Sequence, residues 1–111
     1  MPSWTRKFGV TGTPKPELDS ALEIASDVYK GWKQPLVVTS LQDGDGVHKK
    51  NSLHFLGYAA DLRTSTLGQS VDCVAKQLRL RCGPAYEVIV EKDHIHLEYD
   101  PKHDGGKGLI S

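Results

Sequence analysis

Asp93-His94-Ile95-His96-Leu97-Glu98-Tyr99 is the stretch on which the fold turns. Ile95, Leu97 and Tyr99 alternate with His94, His96 and Glu98, the period-two signature of a strand with one apolar and one polar face. Ala85 to Glu91 forms a second apolar run just before it, and only Lys92-Asp93 intervenes. The pair is expected to be a hairpin closed by a tight turn.

Working outward, Gly83-Pro84 ends a helix expected over Thr66 to Cys82. Leu67, Val71, Val74, Leu78 and Cys82 share its apolar face, and Arg79 and Arg81 oppose the negative end of its dipole. Phe55 to Arg63 is expected to be a strand that carries Asp61 inward. Leu41 to Asn51, with Asp43-Gly44-Asp45-Gly46 and Lys49-Lys50, has almost nothing to bury and is expected to be a surface loop. Leu36 to Thr39 is a short β-branched strand. Pro16 suits the first turn of a helix whose buried face is Leu18, Ala21, Leu22, Ala25, Val28, Tyr29 and Trp32, bracketed by Gly31 and Pro35. The expected class is α+β: a small antiparallel sheet packed with two main helices. Residues 1–15 form an extended lead-in, 16–100 the domain and 101–111 a flexible tail.

A length of 111 residues suffices for one core and leaves no room for a second domain. Lys plus Arg and Asp plus Glu are 14 each, so the formal net charge is zero. The basic excess that draws proteins onto nucleic acid is therefore missing. No apolar run approaches the ~20 residues of a membrane span, and Met1 to Val10 holds no signal-peptide core. A monomer made in the cytoplasm is expected, with no nucleic-acid partner and no membrane insertion. Cys73 and Cys82 fall on one expected helix, roughly 13 Å apart along its axis, too far for a mutual disulfide.

Histidine is frequent, with 5 residues, and His48, His54, His94 and His96 fall in two clusters. Alternation sends His94 and His96 to one face, where one or both imidazoles can converge with His54 and Asp61. Two imidazoles and a carboxylate make a three-ligand zinc site with an open fourth position, the pattern of catalytic zinc. The cysteine spacing argues against a zinc finger. Taken alone, each His or Asp is explained by ordinary hydrogen bonding; it is their coincidence on one sheet that points to a metal.

Ser52, His54, Gly57, Ala59 and Asp61 match the S-x-H-x-x-G-x-A-x-D motif, and Asp93-His94-Ile95-His96 matches a D/E-x-x-H motif. In both, and in the order of its elements from about Pro16 to Tyr99, the chain resembles the zinc D-alanyl-D-alanine peptidases and the phage L-alanyl-D-glutamate peptidases. The resemblance implies one zinc ion per chain in a sheet cleft, held by His54, Asp61 and His96, with Asp93 as the catalytic acid/base and Glu91 as the fallback. It implies a supporting role for His94 at the site. The segment Asp45 to His54 is also similar to the stretch before the first zinc ligand of the hedgehog signalling domain, where His48 matches a pocket-lining His. His48 or His94 is placed to donate to the developing oxyanion, and Ser52 to orient the loop before His54.

The chain departs from those peptidases in two places. Ser40-Leu41-Gln42-Asp43 lacks the Arg that binds a substrate carboxylate there, and position 58 is Tyr where Arg is common. Carboxylate recognition then falls to Lys49, Lys50 or Arg63, which favours an endopeptidase over a carboxypeptidase. The implied substrate is a peptidoglycan stem peptide cut at a bond involving a D-amino acid, as by a phage-type lysis enzyme. The alternative is a zinc-stabilised binding module of hedgehog-like fold that does not cleave. Fold and metal together do not decide between them.

Overall fold

In the computed structural model, which describes residues 4–41 and 57–100, the elements run β1 (Thr5–Arg6), α1 (Pro16–Gly31), β2 (Val37–Ser40), β3 (Ala59–Arg63), α2 (Val71–Cys82), β4 (Tyr86–Val90) and β5 (His94–Tyr99). They form a compact α+β fold, a five-stranded sheet in the order β1-β2-β3-β5-β4 with two helices. The β4/β5 hairpin turns at Lys92-Asp93 as expected, with the Glu91 N–H donating to the His94 carbonyl at 2.8 Å.

The sheet is mixed, not antiparallel throughout, because β1 pairs parallel to β2 through Thr5↔Val37 and Arg6↔Val38. The expected lead-in thus includes an edge strand. The Thr5 and Lys7 N–H groups donate to the Leu36 and Val38 carbonyls at 3.1 and 2.8 Å, satisfying an edge of β2 that would otherwise be open. Trp4 is buried beside it. An apolar anchor followed by two ladder bonds is enough to seat a two-residue strand that has no period of its own to reveal it.

Pro16 opens α1 in the first turn, where its missing N–H leaves no bond unmade. Leu18, Leu22, Ala25 and Tyr29 of α1 have no solvent exposure. They meet Val74 and Leu78 of α2, and both helices close on Val38, Ala60, Leu62, Val88, Ile95 and Leu97 from one face of the sheet. Each fully buried Leu or Ile contributes about 1.5–3 kcal/mol, so this layer is the main source of stability. Trp32, expected on the buried face, lies past the helix end and is 41% exposed. Leu41, expected in a surface loop, is instead buried at 1% exposure, joining the core cluster directly after β2 ends.

The second helix begins later than expected. Gly68 has φ +56, outside the α-helical range, so the α-helix cannot extend back through it; Gly68–Ser70 is a short 3-10 turn and α2 starts at Val71. Arg79 meets a specific acceptor rather than only the helix dipole: its Nε and Nη2 donate to the Val88 carbonyl at 3.2 and 2.9 Å, fastening α2 to β4.

Asp61 does not point into the core. Ala60 and Leu62 take the helix-facing side of β3 and are fully buried, so alternation puts Asp61 on the opposite face. Its side chain keeps only 14% exposure there, because β5 and β2 flank it.

Candidate functional site

Gly57 and Ala59 of the first motif set the entry into β3. Gly57 has φ +85, and a Cβ on it would lie 3.2 Å from the Thr13 carbonyl oxygen and 3.3 Å from the Lys15 nitrogen. Its carbonyl accepts the Lys15 N–H at 2.9 Å, so the chain before α1 is laid directly against the start of the site strand. Only glycine combines that conformation with that approach. Ala59 is fully buried two positions before Asp61, on the same face of the strand. Thr39 Oγ1 donates to the Asp61 carbonyl at 3.3 Å, and the Tyr29 hydroxyl donates to the Arg63 carbonyl at 2.7 Å, holding β3 from both sides.

The β3/β5 register brings the two motifs together: Asp61 is opposite His96, Arg63 opposite His94 and Ala59 opposite Glu98. His96 Nδ1 lies 3.1 Å from Asp61 Oδ1, and His96 Nε2 lies 2.6 Å from Glu98 Oε1. One imidazole is held between two carboxylates. Its pKa is pushed up to about 9, first by the hydrogen bond to Asp61 and then by Glu98, against the opposing effect of burial. His96 is therefore an imidazolium at neutral pH, donating from both nitrogens.

Beside it, His94 Nδ1 donates to Asp93 Oδ1 at 2.7 Å, and His94 Nε2 lies 3.6 Å from Asp61 Oδ1. Asp93 is 85% exposed at the turn. The His94 hydrogen bond is the main cause that holds its carboxyl below the usual carboxylate range. Glu91 is exposed at the end of β4, where its backbone closes the hairpin. A cleft of about 410 Å³ opens over this face, lined among others by Lys7, Thr39, Asp61, Arg63, Asp93 and His94.

The structure therefore joins Asp61, His96, His94 and Asp93 in one cluster with Arg63 on the cleft wall. His48, Lys49, Lys50, Ser52 and His54 lie outside the described residues. Two participants were not given a role by sequence reasoning. Glu98 shares the alternation of His94 and His96, so the period-two pattern already placed it on their face. Lys7 reaches the cleft only because β1 joins the sheet, which no local pattern announces.

Among the described residues, no group of three His, Cys, Asp or Glu side chains is arranged to hold a metal ion. Of the implied ligands, Asp61 and His96 are present and adjacent. Two ligands at about 2.0–2.2 Å from a tetrahedral zinc stand roughly 3.3 Å apart, close to the 3.1 Å between Oδ1 and Nδ1. Their separation matches that of two corners of such a site. No helix among the described residues is long and apolar enough to cross a membrane. Both cysteines are free, Cys73 exposed and Cys82 partly buried. Compared with protein-family models and with curated proteins, the chain finds no match.

Proposed function

We propose that this chain is a zinc-dependent peptidase of the hedgehog-like zinc fold that cuts peptidoglycan stem peptides at a bond involving a D-amino acid, acting as an endopeptidase. The observation that carries this reading is the direct pairing of Asp61 with His96, which joins residues of the two motifs at ligand spacing. His54, Asp61 and His96 would hold the metal. Bound there, zinc would supply Lewis-acid chemistry, a water acidified from about 15.7 toward ~7 and a polarised scissile carbonyl. Asp93, ionised at neutral pH, takes a proton from the attacking water and returns it to the leaving amine. His94 orients Asp93 through its Nδ1–H, which commits its proton there, and His48 donates to the developing oxyanion. Arg63, together with Lys7, gives the cleft wall positive charge suited to the carboxylates of a stem peptide. A monomeric phage-type lysis enzyme, made in the cytoplasm and acting on the wall, is the setting this proposal implies.

The test is mass spectrometry of purified muropeptides after digestion with zinc and with a chelator. New amino termini that appear only with zinc, and vanish in His54→Ala, are expected. Stoichiometric zinc binding without any cleavage would replace this reading with the non-catalytic binding module, which the 85% exposure of Asp93 also accommodates. Absence of zinc binding would overturn both.

A further inference from the structure

Glu98 stands outside both motifs, yet its Oε1 lies 2.6 Å from His96 Nε2. Both side chains are largely shielded, at 19% exposure for His96 and 20% for Glu98. They sit two positions apart on β5, facing the same side, so the carboxylate reaches the ring without bending the strand. At the other end of the ring, Nδ1 is 3.1 Å from Asp61 Oδ1. An imidazole pinned at Nε2 by an acceptor can present a lone pair only at Nδ1, and here Nδ1 already faces the other ligand. With Asp61 taken as the other ligand, Glu98 is the carboxylate left to hold the ring's remaining proton.

We propose that Glu98 is a positioning residue which, by accepting the Nε2–H of His96, turns Nδ1 toward Asp61 and makes it the metal-binding nitrogen. This rests on the reading of Asp61 and His96 as ligands, and it assigns a residue and a ring atom that the motifs do not. Outer carboxylates of this kind fix the tautomer of a ligating imidazole and raise its basicity, and their loss costs about 10–100-fold in metal affinity. The nearby carboxylate of Asp93 is turned to the other ring, accepting from His94 Nδ1 at 2.7 Å.

The experiment measures zinc affinity of the full chain by competition with a chromophoric chelator, for wild type, Glu98→Ala, Glu98→Gln and Glu87→Gln. Glu87 is the cross-strand neighbour of Glu98, so its variant removes the same charge from the neighbouring strand without touching His96. Expected losses are about 10–100-fold for Glu98→Ala and a smaller loss of about threefold to tenfold for Glu98→Gln, which keeps an acceptor but not its charge. Glu87→Gln should bind like wild type. The cobalt-substituted protein should show a shifted visible spectrum in both Glu98 variants and an unchanged one in Glu87→Gln. Should Glu98→Ala fail to fold by circular dichroism, Glu98→Gln decides the matter. Affinity and cobalt spectrum unchanged in Glu98→Gln, or equal losses in Glu87→Gln, would overturn the assignment while leaving the zinc reading intact. A wild-type chain that binds no zinc would overturn both.

Discussion

Asp61 and His96 lie directly opposite each other on adjacent antiparallel strands, with Oδ1 and Nδ1 3.1 Å apart. Strand register alone imposes this relationship, and a one-residue slip would send one of the two into the core. Its first consequence is electrostatic, since the pair is an ion pair when His96 is protonated and, on the proposed reading, would supply two metal ligands when it is not.

Stability of the metal-free protein should therefore fall as pH rises from about 6.5 to 9. The folded pKa of His96 is raised from 6.5 to about 9. A raised pKa means that the folded state holds the proton more tightly than the unfolded one. The contribution is complete below pH 6.5 and disappears as pH passes through about 9, on the order of 2–3 kcal/mol across that window. Urea denaturation at pH 6 and pH 8.5 with a chelator present checks this, and Asp61→Asn should flatten the difference.

Adding zinc should raise the melting temperature, and chelation should lower it. Saturation at about 100 times Kd corresponds to about 2.7 kcal/mol, or roughly 4–8 °C for a domain of this size. The ion must displace the Nδ1 proton of His96, so the gain should be larger at pH 8 than at pH 6. An identical melt with and without zinc at both values would remove the metal from the account.

Replacing Asp93 by Ala should lower kcat about 10²–10⁴-fold while leaving zinc content and melting temperature near wild type. Asp93 is 85% exposed and its carboxylate is not packed into the core, so little stability depends on it. Activity assays on muropeptides alongside metal analysis separate the two effects. A depressed carboxyl pKa also implies that the activity dependent on ionised Asp93 persists into mildly acidic solution.

Gly57→Ala should destabilise the fold by about 1–3 kcal/mol. The strain has two sources, the φ of +85 and the 3.2 Å approach to the Thr13 carbonyl oxygen. Chemical denaturation measures it. Gly9→Ala, also at positive φ but with nothing within 4 Å of its Cβ, should cost less, which isolates the part due to close approach.

Alternation along His94 to Tyr99, the three-and-four spacing of α1 and the Gly-Pro stop after α2 were all legible in the sequence because each is a local period or a local breaker. Those signals also determined which side chains share a face, and so placed His94, His96 and Glu98 together. Beyond the β4/β5 hairpin, they lack any record of which strand lies beside which. Tertiary structure alone decided that β3 lies between β2 and β5, that β1 enters in parallel at the far edge, and that Asp61 faces away from the helices. The physical reason is that strand partnership is settled by hydrogen bonds and packing between residues distant in the chain. Asp61 and His96 carry no local sign of the 3.1 Å that joins them.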